Sequence, residues 1–365
     1  MSAAPGAKPS VDIIVNNHNY GRYVAAAIES ARAQTHPDVS VIVVDDGSTD
    51  DSREVIGRFA EEVEIVLKEQ AGQASALNAG LARGDSEVVI FLDSDDVLHP
   101  EAAARAAAAF AADAELVRTQ SRTEIIDADG RRSGIVKPLP HLPMPNGDMR
   151  HEELTRPYDI VWMATSANAF RRRALDRILP IPAQAYPRTG ADWYLVHLSA
   201  LLGPVRSLPE VGAYYRVHGG NSYEAEKPVL NLARVWQAIG YTNATSAELL
   251  RLAEELGLPH PRRILSTADV AYRMIALRAD PRHALVRGER RLGLLRDGIL
   301  ALNRRGDVSL SMKAMMAAWF AAMAVVPRPL ARRLAEYFLF PEARPGLNEL
   351  LGRLHRHPEA RPEAG

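Results

Sequence analysis

Within about a hundred residues the chain repeats one pattern four times: a β-branched apolar run, a polar loop rich in Asn, Asp and Gly, then helical spacing. The apolar runs are residues 11–15, 39–44, 63–67 and 88–92. Helical stretches follow at 22–34, 51–59, 73–81 and 101–112. Strand, loop and helix in alternation build a parallel sheet with helices on its faces. The expected class is therefore α/β, a doubly wound, Rossmann-like, mostly parallel sheet. In such a sheet the loops after the strands share one edge, and ligands bind there.

The fourth run constrains function most. Val88-Val89-Ile90-Phe91-Leu92 reads as a strand buried on both faces. It stops at Asp93-Ser94-Asp95-Asp96, ahead of Pro100 and an alanine-rich helix. Asp93 and Asp95 leave an extended chain on the same side, about 6–7 Å apart, and a turn at Ser94 brings them closer. Oxygen ligands of this kind suit Mg²⁺ or Mn²⁺. The chain has no cysteine, so thiolate metal sites and disulfides are excluded. The competing reading is structural: Asp93 caps the turn, and Asp95 and Asp96 cap the next helix. No Gly-x-Gly-x-x-Gly follows the first strand and no Gly-Lys-Ser/Thr loop occurs, which argues against a dinucleotide oxidoreductase and leaves phosphate to a metal.

Further on, residues 114–126 read as a strand pair turning at Asp127-Ala128-Asp129-Gly130. Residues 133–157 read as a long loop beside the site, 161–170 as a strand, and 171–178 as a short helix. Asp192 falls in the first turn of a helix running to Leu202, where the dipole favours a carboxylate for structural reasons alone. Strands at 205–208 and 212–217 lead to His218-Gly219-Gly220, where Arg216 and His218 are placed for a diphosphate or metal unless they are ordinary loop residues. After Pro228 the pattern is helical: 229–241, 246–256, 264–279, 283–303, 310–326 and 329–338. Residues 314–326 carry no charge but fall short of the roughly 20 that a spanning helix needs. A core helix is the first reading and an interfacial anchor the second.

The domain expectation is a flexible N-terminus over 1–10, a catalytic domain over 11–224, a helical domain over 225–342 and a loosely ordered tail over 343–365. Net charge is −1 overall, yet 20 Lys+Arg face 12 Asp+Glu from Arg251 onward, a surplus of +8 that leaves −9 for the rest. That surplus is a solvated face or an attraction to anionic lipid or an acidic partner. The missing cysteines and an N-terminus without an apolar run point to a cytoplasmic protein, in peripheral contact with the inner membrane face through the helical region. No nucleic-acid partner is expected.

Taken together, residues 13–19, 43–50, 72–80 and 91–100 resemble glycosyltransferase family 2, the inverting transferases of GT-A fold, and the likeness covers about residues 10–222. Asn16-Asn17-His18-Asn19 stands where the family has Pro-Thr-Tyr-Asn; Asp45-Asp46-Gly47-Ser48-Thr49-Asp50 is similar to its loop beside the nucleotide base. The resemblance implies that Asn17, Asn19, Asp45, Asp46, Gly72, Asn78, Asp93, Ser94 and Arg216 contact a nucleotide-diphosphate sugar. It implies that Asp95 ligates Mn²⁺ or Mg²⁺, with Asp93 on ribose or the same ion and His218 as a further ligand. Asp192 would be the catalytic base, although Ala191 stands where the family has Glu. Tyr215-Arg216-Val217-His218 resembles the family's Tyr-Arg-x-His. The implied function is inverting sugar transfer to a glycan, lipid-linked or other hydroxyl acceptor in polysaccharide or glycoconjugate synthesis. Two rivals remain. One is a haloacid-dehalogenase-type phosphatase, whose Asp-x-Asp-x-Val signature Asp93–Val97 matches, though three strand–helix units precede it. The other is a sugar-nucleotide-binding protein without catalysis.

Overall fold

The computed structural model describes residues 9–220 and 230–340. The expected tail, and all but the last two residues of the expected flexible N-terminus, lie outside the described residues. Contacts divide the chain into two units, the first of residues 1–154, 160–224 and 244–260, the second of 155–159, 225–243 and 261–365.

The first unit is built on a sheet whose strands β1 (Val11–Asn17), β2 (Val39–Asp46), β3 (Glu64–Lys68) and β4 (Val88–Asp93) run parallel in the order β3-β2-β1-β4. The helices α1 (Gly21–Arg32), α2 (Ser52–Gly57) and α3 (Gln73–Leu81) connect them. In α1 the buried Val24, Ala27, Ile28 and Ala31 recur at helical spacing and meet Ile13, Val15, Ile90 and Leu92 on one face of the sheet. On the other face α3 lies close: a Cβ on Gly80 would come within 2.4 Å of Ile14 Cγ2, so only glycine fits. Each fully buried Val, Leu or Ile here contributes roughly 1.5–3 kcal/mol. That packing fixes the strand ends from which the loops project.

Beyond β4 the sheet becomes mixed. The next elements are β5 (Val97–Leu98), α4 (Ala102–Ala112), β6 (Arg118–Ile126), β7 (Arg132–Lys137), α5 (Arg150–Thr155), β8 (Asn168–Arg171), α6 (Arg172–Leu175), α7 (Ala191–Ser199) and β9 (Val205–Arg216). β8 pairs antiparallel with β4 and β6, β6 pairs parallel with β9, and β9 pairs antiparallel with β5. Residues 114–126 hold one strand rather than two. Its hairpin partner β7 comes from the expected loop, an edge strand exposed on both faces and therefore without apolar alternation. The two strands expected over 205–217 are one, with irregular register opposite Ser121–Thr123.

The second unit is helical. α8 (Leu232–Glu255) contributes residues to both units and runs unbroken where two helices were expected. Thr242 sits at the expected break, and its hydroxyl is satisfied by Ile239 O at 3.1 Å and Asp269 at 2.5 Å. The helices α9 (Thr267–Ala279), α10 (Arg291–Asn303), α11 (Leu310–Val325) and α12 (Arg328–Leu339) enclose a core of Val270, Met274, Leu294, Leu302, Phe320 and Met323. Among the described residues no helix is long and apolar enough to cross a membrane.

Candidate active site

A cleft of about 1030 Å³ opens at the carboxyl ends of β1, β2 and β4. At the end of β1, Asn16 donates from Nδ2 to Asp93 Oδ1 at 2.9 Å and to Leu92 O at 3.2 Å. Asn17 donates to Asp45 Oδ1 at 3.0 Å and Ser48 Oγ at 3.1 Å, while its own Oδ1 is buried without a partner. Asn17 lines the cleft. Asn19 does not line it. Asn19 adopts φ +58°, and its Oδ1 accepts from the backbone of Thr49 at 2.7 Å and Asp50 at 3.3 Å, which ties the β1 and β2 loops together.

The two acids ending β2 part company. Asp45 is fully buried and faces away from the cleft, held by Arg53 Nε at 2.8 Å, Ser48 N at 3.0 Å and Asn17. Burial raises its pKa, but the bonds from Arg53, Ser48 and Asn17 outweigh it and hold the carboxyl below the usual range. Asp46 does line the cleft, with Oδ1 accepting from Ala71 N at 2.9 Å, Oδ2 from Gly72 N at 2.6 Å, and an ion pair to Lys68. Gly72 has φ +89°, and a Cβ there would sit 2.1 Å from Pro187 O. Asn78 is turned away: both ends of its amide clamp the backbone of Ile181, each at 2.9 Å. Its role is to hold the segment leading to α7, not a nucleotide.

The acids ending β4 are placed differently. Asp93 receives two amide donors, Asn16 and Gln73 Nε2 at 3.1 Å, and no cation. Burial and then repulsion from Asp95 push its carboxyl up to about 7. Asp96 is buried and accepts from Ser166 Oγ at 2.7 Å and Arg216 N at 3.0 Å; burial, then Asp95 and Asp93, raise its pKa too. Asp95 meets His218 Nε2 at 3.1 Å. Ser94 is buried in the turn, donating its N–H to Asn16 O at 3.2 Å. The capping alternative fails for Asp95 and Asp96, because α4 begins at Ala102 and neither reaches it. Arg216 also departs from expectation. Its guanidinium points behind the turn, to Asp95 O at 2.7 Å and to the carbonyls of Asp127 and Ala128, so it braces the acids and does not face the cleft.

Across the cleft, Gly190 precedes α7 and Asp192 lies in its first turn. Asp192 Oδ1 accepts from Trp193 N at 3.0 Å, and burial raises its pKa, with the Trp193 bond and His197 opposing. Gln73 joins the two sides: Nε2 reaches Asp93, and Oε1 accepts from Ala191 N at 3.2 Å. Sequence reasoning passed over Gln73, and also over Lys137, Trp162, Thr165 and Arg188, which line the same cleft. Only Gln73 carried a signal, a polar residue directly after the glycine that opens α3.

A divalent cation fits the chemistry of this donor set. Asp93 and Asp95 offer hard oxygens, and the mutual repulsion of the β4 acids is what a dication relieves. The expected ligand His218 does not line the cleft, its Nε2 meeting Asp95 and its Nδ1 accepting from Gly220 N at 3.3 Å. Among the described residues no three such side chains already converge as a ligand cage.

Known proteins resemble this chain in sequence and in fold. The family model described as glycosyl transferase family 2 matches residues 12–179. An uncharacterized glycosyltransferase of Nostoc sp. (strain PCC 7120) is 36% identical over 217 residues, covering 58% of this chain and 66% of that protein. The chondroitin synthase of Pasteurella multocida (strain Pm70) is 33% identical over 125 residues, 33% of this chain and 13% of that one. The chain thus spans just under two thirds of the first relative's length and a small part of the second's. In fold, residues 1–349 of S. aureus TarS, solved with UDP, superpose with a TM-score of 0.51 at 15% identity over 92% of each chain. With the parallel-to-mixed sheet and the acids at its edge, these matches agree: residues 12–179 are those of a glycosyltransferase family 2 domain.

Proposed function

We propose that the cleft transfers a sugar, with inversion, from a nucleotide-diphosphate donor to an acceptor hydroxyl in polysaccharide or glycoconjugate synthesis. The observation that carries this reading is that Asp93 and Asp95 line the same cleft as Asp192, with Gln73 bonded to both sides. Asn17 and Asp46 lie together at the cleft wall, on the side proposed for the nucleotide base. Asp95 and Asp93 would hold a divalent cation, with His218 bonded to Asp95 behind them, and the cation would supply Lewis-acid neutralisation of the leaving diphosphate. Lys137 and Arg188 add positive charge along the same wall.

Asp192 takes the proton of the attacking hydroxyl, on the far side of the sugar from the diphosphate. Burial lifts its pKa above the ordinary carboxylate value, toward that of a better base. Proton removal by a positioned carboxylate is worth roughly 10²–10⁴ in rate. The phosphatase alternative needs Asp-x-Asp on the first strand of its sheet, and here the pair ends β4.

The test is a panel of nucleotide sugars assayed for Mn²⁺- or Mg²⁺-stimulated release of nucleoside diphosphate with candidate acceptors. Turnover that Asp192→Asn removes, with nucleotide binding retained, supports transfer. Donor binding with no turnover on any acceptor would reduce the protein to a sugar-nucleotide binder.

A further inference from the structure

α11 is apolar on every side. From Ala314 to Val325 it has no charged or strongly polar side chain. One side faces the helical core through Phe320, Met323 and Ala324, with Met316 and Trp319 packed beside them. The other side carries Leu310, Ala314, Ala318, Ala321 and Val325, all exposed and spaced by three or four residues, so they form one stripe along the helix. Leu310 is 84% exposed, Val325 75%, and Met315 beside the stripe 36%. An all-round apolar helix is ordinarily covered on all sides. Nothing among the described residues covers this face. Sixteen residues make a helix about 24 Å long, enough to lie in a membrane surface and too short to cross one.

The end of the stripe indicates what covers it. Arg291 Nη1 donates to Ala324 O at 3.1 Å, Arg278 Nη2 donates to Val326 O, and Arg328 opens α12 two residues on. The three sit close enough that Arg291 and Arg328 add to burial in lowering the Arg278 pKa. Among the described residues none of the three pairs with a carboxylate. Residues 325 and 327–330, Val and then Pro-Arg-Pro-Leu, are exposed around them. Residues 261–340 carry 15 Lys+Arg against 6 Asp+Glu, so the surroundings are basic as well. A second copy packed face to face through α11 offers no neutralising charge, because α11 has no acid and its one charged residue is Lys313.

We propose that α11 docks the chain in plane on an anionic phospholipid surface, the apolar stripe at the acyl boundary and Arg278, Arg291 and Arg328 on lipid phosphate. The inference does not rest on the transferase reading. It predicts that the full chain sediments with vesicles of phosphatidylcholine containing phosphatidylserine, less so as salt rises. Binding to pure phosphatidylcholine should be at least tenfold weaker. Ala318→Glu with Val325→Glu should abolish sedimentation without changing the melting curve, since both positions are exposed. Arg291→Gln and Arg328→Gln should each weaken it about fivefold. Equal binding of the glutamate variant, or no binding to either vesicle, overturns the proposal. So does a dimer in solution that Val325→Glu dissociates while vesicles capture nothing, which assigns the face to a second copy. Vesicle binding seen only after residues 341–365 are removed overturns it in favour of that segment as the cover.

Discussion

β2 and β4 end in much the same way, in adjacent acids at one sheet edge, and the chain gives them opposite surroundings. At β2, Asp45 and Asp46 are matched by Arg53, Lys68, two backbone amides of the loop after β3 and Ser48. At β4, Asp93, Asp95 and Asp96 face one another with amides, a hydroxyl and one imidazole for company. Saturated acids fold a loop. Under-compensated acids, which the fold holds together at a cost, are what a cation site requires. The lesson is that an acidic strand end declares its role through its partners, not its composition.

The largest effect expected is on transfer: Asp192→Asn should lower kcat by roughly 10²–10⁴ and leave nucleotide binding within a few-fold, read by single-turnover assay and by titration. On the folding side, Gly72→Ala should destabilise by about 1–3 kcal/mol or more, because φ +89° and the Pro187 carbonyl both exclude a Cβ. Denaturant unfolding measures it, and a neutral result would mean that the backbone linking the Asp46 loop to 187–190 is not held as described. Asp45→Ala strands the buried donors of Asn17 and Ser48, at about 1–3 kcal/mol. Gln73→Ala should cost about tenfold in kcat, through loss of the link between Asp93 and Ala191, with little change in the melting midpoint.

The smallest effects concern pH and run in opposite directions. The Asp45 pKa is lowered on folding, so its stabilisation is present above the unfolded value near 3.8 and lost as pH falls through the lower folded value. The Asp192 pKa is raised, so its contribution is present below 3.8 and lost as pH rises through the higher folded value. At neutral pH, Asp192→Asn should therefore raise the melting midpoint and Asp45→Asn lower it, in calorimetry at fixed salt. Two shifts of the same sign would erase the distinction drawn between an acid matched by its bonds, Asp45, and one left under-compensated by burial, Asp192.

Much of this was legible in the sequence where local signals and tertiary packing agree. The β-branched runs ending at Val15, Val44 and Leu92 mark β1, β2 and β4 to within two residues. β7 was not legible, because an edge strand exposed on both faces has no alternation to read. The position of a motif proved easier to read than the direction of its side chains. Asn19, Asn78 and Arg216 stand where the family pattern places them, yet each is spent on backbone groups: Thr49 and Asp50, Ile181, and Asp95 with Asp127 and Ala128. Asn78 finds its partner 103 residues along the chain, beyond anything a local pattern records. Gln73 escaped for the same reason, since its significance lies in reaching both Asp93 and Ala191.

The most direct measurement is the melting midpoint of wild type, Asp95→Ala and Asp45→Asn, each with EDTA and with Mn²⁺ in the presence of UDP and GDP in turn. A ligand bound only by the native state raises the midpoint by mass action. The account predicts a Mn²⁺-dependent rise in wild type, a comparable rise above its own lower baseline in Asp45→Asn, and none in Asp95→Ala. A rise that survives Asp95→Ala, or one that vanishes with Asp45 instead, would contradict it.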